Sequence, residues 1–436
     1  MRCNIILVVL FLFALHGCKA RINHFGFLNV RDFGAIGSDR KDDTESIQQA
    51  IDEAVRLGVQ NVYLLKGEYI VSRTLQRGKA HCLYLKPNIN LIGEYKKSCI
   101  KLADMQGNYT RILYIENSSN NMLSGIEFDG NKKKQPFDSV RVTNEHLHCL
   151  FINGSKNVSI DSCQFYNSGG DGLVVRGNKG RLSENVLITR CSFDNNQRNG
   201  ISIGGGFIGI EIKESVFGEN IDDSPIDSEP YGGVCEDIFI HHNLINTKES
   251  LLTMGGHTTV SNYRIEDNTF NGTGLYMVRS DNVVIRNNII KVYDTKRPVF
   301  GIQNNNRNIV IENNIITTNV RILFITATKY GTPSNITFRN NTIDAMPIDK
   351  ELILVQGAND ISIIKNEFRF TTESTAPFIR LNPNYPMSGI TVYNNTLVGY
   401  TGKFIDEIRI DSTRILNLLF EKNKQNNVVL PTINLN

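Results

Sequence analysis

The chain has 436 residues, of which 40% are hydrophobic, and its formal net charge is only +3. A chain of this size and composition can bury a large core. The small charge and the lack of a basic tract argue against nucleic acid as a partner. After the N-terminal segment, no apolar run approaches the roughly 18 residues that a membrane-spanning helix needs.

The first 17 residues have the pattern of an export signal, because Arg2 precedes an apolar stretch from Ile5 to Leu15. The sequence Leu15-His16-Gly17-Cys18 resembles a bacterial lipoprotein cleavage box. We therefore expect an exported protein, anchored at the cell surface or in the periplasm through a lipid on Cys18. Ordinary signal cleavage and secretion is the alternative.

Residues 29 to 75 predict an N-terminal cap. Asp42-Asp43-Thr44 can start an amphipathic helix, and Gly58 can end it. One face of this helix is apolar, and it carries Ile47, Ala50, Ile51 and Ala54. Residues 61 to 75 then alternate between apolar and polar side chains, as a strand does.

An octet recurs along most of the remaining chain, as in residues 309–316 (IVIENNII) and 336–343 (ITFRNNTI). Its first, third and eighth positions are apolar and should point inward. Its sixth position is a corner residue, expected to take a positive φ and to stack in a column outside the core. The corner residues are Cys163, Cys191, Ser215, Asn243, Asn268, Asn288, Asn314, Asn341, Asn366, Asn395 and Asn423.

A repeat of 20 to 29 residues with one alternating strand is typical of a solenoid. The leucine spacing of a leucine-rich repeat is absent. The sequence therefore predicts an all-β protein in which residues 18–436 form one domain, a right-handed single-stranded parallel β-helix of about a dozen coils. The predicted helix would cap its N-terminal end, and Cys163 and Cys191 should be buried thiols.

The motif Asp32-Phe33-Gly34-Ala35-x-Gly37, followed by Asp42-Asp43-Thr44 and by Val62-Tyr63-Leu64, resembles the start of pectate lyase superfamily proteins. That superfamily includes polygalacturonases, rhamnogalacturonases, phage tailspikes and alginate epimerases. The resemblance implies a parallel β-helix that acts on or binds polysaccharides. Because the motif is structural, its aspartates are not expected to be catalytic.

A β-helix has no hollow interior, so a substrate would lie in a groove on its side. Counting from the corner residues places Asp171 and Asn199 at the same point of successive coils, with His148 one coil earlier. Asp223 or, better, Asp227 would follow one coil later. Since coils lie about 4.8 Å apart, Asp171 and Asp227 should be roughly 10 Å apart, near the separation of an inverting glycosidase pair.

These residues suggest a division of roles. Asp171 would activate water, and either Asp227 or Glu229 would donate a proton, because two carboxylates on one strand face can keep one of them protonated. Arg198 lies between them and could clamp a sugar carboxylate. The remaining candidates are substrate-binding residues: His148, Arg176, Asn199, Asp223 and His257.

The sequence thus predicts an exported enzyme that cleaves glycosidic bonds in a polysaccharide, with hydrolysis favoured and no cofactor. The first alternative is a pectate-lyase type enzyme, in which Ca²⁺ neutralises a uronate and Arg198 or His148 takes the proton. The second is a non-catalytic glycan-binding or tailspike-like adhesin. The basic run at 132–134 favours an acidic polymer as the partner. The sugar, the linkage and the oligomeric state stay open.

Overall fold

A computed structural model describes residues 26–76, 79–136, 144–178, 180–293, 296–346, 350–371, 376–382, 384–405 and 415–435. The expected export signal at 1–17 and the lipidation site Cys18 lie outside these residues. The described chain forms the predicted right-handed parallel β-helix of about 12 coils, with one α-helix near its N-terminus. Within these ranges, no helix has the length and apolar character to cross a membrane.

Most coils contribute strands to three faces. The first face contains the start of the octet, and its strands pair in parallel except for the last one, which is antiparallel. Its strands are Phe27–Asn29, Asn61–Leu64, Asn90–Gly93, Ser119–Ser124, Lys156–Asp161, Ser183–Thr189, Phe207–Lys213, Cys235–His241, Val260–Glu266, Ser280–Arg286, Arg307–Glu312, Ser334–Arg339, Asn359–Ile364, Met387–Tyr393, Ile415–Glu421 and Ile433–Leu435.

The second face follows the octet corner. Its strands are Gly67–Val71, Ser98–Leu102, Ile126–Asp129, Gln164–Tyr166, Ser192–Asp194, Val216–Phe217, Ile289–Val292, Ile315–Thr318, Thr342–Ala345, Glu367–Phe370, Thr396–Val398 and Lys424–Gln425, with Val428–Val429 antiparallel to the last. The third face consists of Leu83–Tyr84, Arg111–Glu116, His148–Asn153, Leu173–Arg176, Ile201–Gly204, Ile226–Glu229, Phe300–Gln303, Leu323–Thr326, Ile353–Gln356 and Ile379–Leu381. Two long strands, Leu244–Met254 and Thr269–Val278, run through both faces.

The remaining elements are short. Val30–Phe33 and Lys132–Lys134 are 3₁₀ helices, and Thr74–Gln76 pairs with Lys79–His81 as a hairpin.

The core follows the alternation of the octet. Ile309, Ile311 and Ile316, at the first, third and eighth positions, are fully buried, as expected for inward side chains. At the eighth position of earlier coils, phenylalanine rings stack with centroids 4.9 to 5.2 Å apart. The six cysteines from Cys82 to Cys235 are free thiols, and the predicted burial of Cys163 and Cys191 is confirmed.

The capping helix spans Thr44–Leu57 and buries the predicted apolar face. Asp42 caps it, since Asp42 Oδ1 accepts from the Thr44 N–H at 2.9 Å. Asp43 is the N-cap residue but forms no side-chain cap bond. Gly58 ends the helix in the left-handed conformation, with a φ of 68°. The helix therefore covers the core side chains at the N-terminal end of the stack.

The predicted asparagine column is present from Asn243 to Asn423. In each step, the side-chain oxygen of one asparagine accepts from the backbone N–H of the preceding one, at 2.9 to 3.0 Å. The side-chain N–H₂ groups donate to core carbonyls, as Asn314 does to Ile285 at 3.0 Å. Each amide thus satisfies backbone groups of the neighbouring coils.

Two details of this column differ from the prediction. The column is buried rather than outside the core, with each asparagine at most 3% exposed. The positive φ belongs to the fifth octet position, as at Asn287, Asn313 and Asn340, and not to the sixth. Because the fifth residue makes the left-handed turn, the sixth side chain points inward where the backbone needs hydrogen-bond partners.

Replacing Asn314 by Leu should reduce the free energy of unfolding by roughly 1 to 3 kcal/mol, because buried groups of two neighbouring coils lose their partners. Asn308 is a matched control, since it is exposed, lies in the same coil and has a φ of 53°. Asn308→Gly keeps that conformation accessible. Urea denaturation of both variants measures the difference, and an equal loss in both would contradict a special role for the buried column.

Candidate functional site

The third face forms rows of equivalent residues along the helix axis. Arg111 pairs with His148. The pairing of Leu150 with Leu173, and of Leu173 with Ile201, places His148, Asp171 and Asn199 in the same row. The predicted alignment of these three residues is therefore confirmed.

A hydrogen-bond ladder joins this row. The Asp171 N–H donates to His148 Nδ1 at 3.2 Å, and the Asn199 N–H donates to Asp171 Oδ1 at 3.1 Å. The Ser224 N–H then donates to Asn199 Oδ1 at 3.2 Å. Asp171 therefore has a structural function in the ladder through Oδ1, whereas its Oδ2 lies 3.4 Å from Arg198 Nη1 and 3.3 Å from His148 Nδ1.

The alignment expected for the next coil is wrong. Asn199 follows Asp171 by 28 residues, but the next coil is shorter, and Ser224 follows Asn199 by 25. Ser224 consequently occupies the row position expected for Asp223 or Asp227. Asp227 lies further along its strand, opposite Ser202.

Asp227 nevertheless comes close to Asp171, because Arg198 and Asn199 contact both carboxylates. Arg198 Nη1 is 3.4 Å from Asp171 Oδ2, and Arg198 Nη2 is 3.9 Å from Asp227 Oδ2. Asn199 Nδ2 donates to Asp227 Oδ2 at 3.4 Å. The Thr253 hydroxyl donates to the other oxygen of Asp227. The two acids thus form one buried pair on the same guanidinium, rather than facing each other across a substrate.

Burial dominates the protonation of this pair. It raises the pKa of Asp171 to about 7, with the negative charge of Asp227 adding to the effect and Arg198 opposing it. Burial also raises the pKa of Asp227 to about 6, opposed by the Thr253 hydroxyl and Arg198. Such carboxyls exchange a proton near neutral pH, which is the property a general acid or base requires.

His148 is a neutral hydrogen-bonding group. Its burial, together with the nearby charge of Arg111, lowers its pKa well below the usual value. Since Nδ1 accepts the Asp171 N–H, the ring proton is assigned to Nε2. His148 therefore carries an N–H donor rather than a positive charge.

A cleft of about 330 Å³ opens over these residues. Three arginines contribute to its wall, against two carboxyl side chains, so the cleft is suited to negatively charged ligands. It is lined by Tyr109, Arg111, His146, His148, Phe151, Asp171, Val174, Arg176, Arg198, Ser202, Ile203, Gly204, Glu229 and Tyr231.

Aromatic rings hold two of the arginines in place. The guanidinium carbon of Arg111 lies 4.5 Å from the ring centroid of Phe151, and that of Arg176 lies 6.0 Å from the same ring. Arg176 also lies 5.0 Å from the Tyr231 ring. Cation–π contacts of this kind orient a guanidinium without using its N–H groups. Arg111 Nη1 also donates to the Ala80 and Tyr109 carbonyls, at 3.3 and 3.2 Å.

The structure brings together five of the predicted site residues, Asp171, Arg198, Glu229, His148 and Arg176, all of which line the cleft. Asp227 and Asn199 do not line the cleft. Their exposed fractions, 6% and 0%, are close to the 1% of Asp171, which does line it.

Asp223 and His257 are exposed but do not line the cleft. Asp223 immediately precedes Ser224, the residue that occupies the row position. His257 belongs to a turn that is held by its backbone N–H bond to the Pro230 carbonyl at 3.1 Å.

Sequence reasoning missed Arg111, Tyr109, His146 and Tyr231. The first of these could have been found, because residues 110–117 (TRILYIEN) match residues 147–154 (LHCLFING) in their apolar pattern, and this match aligns Arg111 with His148. The other residues lie in turns or connections, where the repeat gives no register.

For the lyase alternative, the buried carboxylates near Arg198 that could hold Ca²⁺ are Asp171 and Asp227. The carboxyl oxygens of Asp171 and Asp227 already contact Arg198 and the N–H and hydroxyl donors described above. Throughout the described ranges, no group of three or more His, Cys, Asp or Glu side chains is arranged to hold a metal ion.

Two family models match the chain. The model described as "Right handed beta helix region" covers residues 148–368, and the one described as "Rhamnogalacturonase A/epimerase, pectate lyase-like" covers residues 27–222.

Among curated proteins, the uncharacterized protein YclG of Bacillus subtilis is 28% identical over 287 residues, which are 59% of this chain and 49% of YclG. The mannuronan C5-epimerase AlgE3 of Azotobacter vinelandii is 40% identical over 112 residues, which are 24% of this chain and 6% of AlgE3. The chain thus spans half or less of the curated relatives that it matches.

Solved structures show the same architecture at low sequence identity. The A-module of the A. vinelandii mannuronan C-5 epimerase AlgE6 has a TM-score of 0.58 at 18% identity, over 92% of this chain and 99% of the module. The Streptococcus pneumoniae adhesin PfbA has a TM-score of 0.54 at 18% identity, over 87% and 99%. A tailspike of E. coli bacteriophage HK620, in complex with a pentasaccharide, has a TM-score of 0.57 at 13% identity, over 87% and 80%.

At these identities the structural likeness concerns the fold alone, but the family matches cover both the capped N-terminal coils and the repeat. The chain belongs to the right-handed parallel β-helix proteins of the pectate lyase-like superfamily.

Proposed function

We propose that this protein is an enzyme that acts on an acidic, uronate-containing polysaccharide by proton transfer at a sugar ring in the cleft. The observation that carries the proposal is that Arg111, Arg176 and Arg198 share one cleft with Asp171, a carboxyl with a pKa of about 7. Relatives named for mannuronan epimerisation and a tailspike that holds a pentasaccharide support a polysaccharide as the substrate.

The arginines match the chemistry of a uronate. Removing the proton next to a sugar carboxylate builds negative charge on the carboxylate oxygens, and guanidinium groups stabilise that charge by paired hydrogen bonds. In its ionised form Asp171 is the candidate base. The cleft also offers the proton donors Tyr109, Tyr231 and the Nε2–H of His148.

Two outcomes can follow proton removal. If the neighbouring glycosidic oxygen leaves with a proton from one of these donors, the chain is cut and an unsaturated uronate forms. If a donor returns a proton to the opposite face of the ring, the sugar is epimerised without cleavage. Both reactions need the same base and the same charge stabilisation.

Hydrolysis is the second candidate, favoured by the fact that Asp171 and Glu229 both line the cleft. Glu229 would then protonate the leaving oxygen while Asp171 activates water. Asp227 does not line the cleft, so the pair of Asp171 and Asp227 is not proposed to flank the scissile bond.

The reaction class can be tested on a panel of polygalacturonate, polymannuronate and neutral polysaccharides. Lyase activity would produce reducing ends together with the ultraviolet absorbance of an unsaturated uronate, whereas hydrolysis would produce reducing ends alone. Epimerisation would change the sugar configuration by NMR without new ends. Binding without any reaction would support an adhesin and contradict the proposed enzyme.

Asp171→Asn should lower turnover by about 10² to 10⁴-fold, because the amide cannot take a proton, while its oxygen can still accept the Asn199 N–H. Steady-state kinetics on the substrate found in the panel measures the loss. Asp223→Asn removes an exposed carboxylate outside the cleft and serves as the control. Near-normal turnover of Asp171→Asn would remove Asp171 as the base.

Activity should rise with pH through about 7, as Asp171 ionises. Asp227→Asn should move this rise to lower pH, because the negative charge of Asp227 raises the pKa of Asp171. The pH profiles of the wild type and this variant, compared on one substrate, provide the test. An unchanged midpoint would show that Asp227 does not act on the titration of Asp171.

The same titration should affect stability. Because the pKa of Asp171 is raised above 3.8 to about 7, its contribution is fully favourable below about pH 4 and is lost as the pH rises towards 7. Relative to the wild type, Asp171→Asn should therefore gain stability between about pH 5 and about pH 8. Denaturant unfolding at both pH values gives this difference, and a pH-independent effect of the substitution would contradict the burial of an ionisable group.

A further inference from the structure

A second cavity, of about 670 Å³, opens beside the cleft where the chain turns away from the third face. We call it the turn cavity. Arg176 and Tyr231 line both spaces. A ligand that fills the cleft therefore has a direct continuation past these two side chains.

Glycines form part of the wall of the turn cavity and leave it free of side chains there. A Cβ atom at Gly177 would lie 2.2 Å from the Gly206 carbonyl oxygen, and one at Gly206 would lie 2.5 Å from the Leu182 side chain. A side chain at Gly177 would therefore have to move the backbone of the neighbouring coil, and one at Gly206 would have to displace the Leu182 side chain. The close packing of successive turns leaves an open channel above them.

A third cavity, of about 540 Å³, adjoins the turn cavity at the equivalent turns of earlier coils. It shares Gly180, Arg181 and Leu182 with the turn cavity and extends to Lys156. The three spaces thus form one path, joined first at Arg176 and Tyr231 and then at Arg181. A path of consecutive compartments suits a chain of similar units better than a single small molecule.

The walls of the turn cavity combine apolar surface with positive charge. Tyr231 and Val234 are 47% and 42% exposed, and exposed apolar surface of this kind often marks a ligand groove. Arg181 is exposed at the junction of the second and third cavities. No carboxylate of the described chain forms an ion pair with its guanidinium, so Arg181 can pair with an anionic group of a ligand.

We infer that the turn cavity is a binding subsite for the sugar units next to the one in the cleft, and that Arg181 pairs with a carboxylate of those units. This inference rests on the proposed function. The bound acidic chain would then leave the cleft along the turns instead of following only the helix axis. It also makes Arg181 a determinant of preference for longer chains.

Calorimetric binding of oligogalacturonates and oligomannuronates, from disaccharide to hexasaccharide, tests this inference. The proteins are the wild type, Arg181→Gln and Arg56→Gln. Arg56 is a matched control, because it is an exposed arginine on the capping helix and its removal changes the net charge equally. The expected result is about tenfold weaker hexasaccharide binding by Arg181→Gln, from loss of one charged hydrogen-bonding pair, with disaccharide binding unchanged.

Three other results would each have a clear meaning. If Arg181→Gln binds hexasaccharides as Arg56→Gln does, the subsite is ruled out. If Arg181→Gln weakens the binding of all oligosaccharides, short and long, by the same factor, Arg181 acts only through long-range electrostatic attraction to the cleft. The subsite is then again ruled out. If the wild type binds no acidic oligosaccharide of either series, the proposed function itself fails.

Discussion

Register between successive coils is the constraint on which the rest of this structure depends. Parallel strands stack throughout the solenoid, and buried side chains at the corners accept hydrogen bonds from backbone N–H groups of the neighbouring coil. An unmatched N–H in such a place costs about as much as a lost hydrogen bond and its desolvation. A coil that slipped by one residue would also turn its apolar side chains outward. The column therefore fixes the position of each coil against the next.

The candidate site also contains buried side chains that accept hydrogen bonds from backbone N–H groups of a neighbouring coil, and one of them, Asp171, is ionisable. In the row that begins at His148, the side chains of His148, Asp171 and Asn199 each accept from a backbone N–H of the following coil. The asparagine column has the opposite direction, since each side chain there accepts from the preceding coil. Placing Asp171 in such a row buries a carboxyl, and burial is what moves its pKa towards neutrality. The buried row therefore does two things at once. It positions Asp171 through a backbone hydrogen bond, and it raises the pKa of the Asp171 carboxyl by burying it. The positive charge of Arg198 compensates the negative charge of the buried carboxyls of Asp171 and Asp227.

Periodicity made the fold predictable, because the octet specifies inward side chains, a corner and a strand in each coil. It also predicted the row of His148, Asp171 and Asn199, since Asp171 and Asn199 follow the corner residues Cys163 and Cys191 at the same distance. Prediction failed where coil length changed, so that Ser224 took the place expected for Asp227. It failed again for side chains from turns, such as Tyr109 and Tyr231, because their positions depend on how loops fold over the face and not on the repeat.

The stacking has a consequence for how such a protein can change over time. In a solenoid each repeat contacts only its neighbours, so stability is approximately a sum of local terms. The cleft draws its residues from the coils between Tyr109 and Tyr231, and the coils from residue 300 onward lie beyond it along the axis. Whole coils in that distal part can be duplicated, lost or exchanged without altering the chemistry upstream. The coils that line the cleft are in this sense constrained by its chemistry, whereas the number of distal coils is free to change.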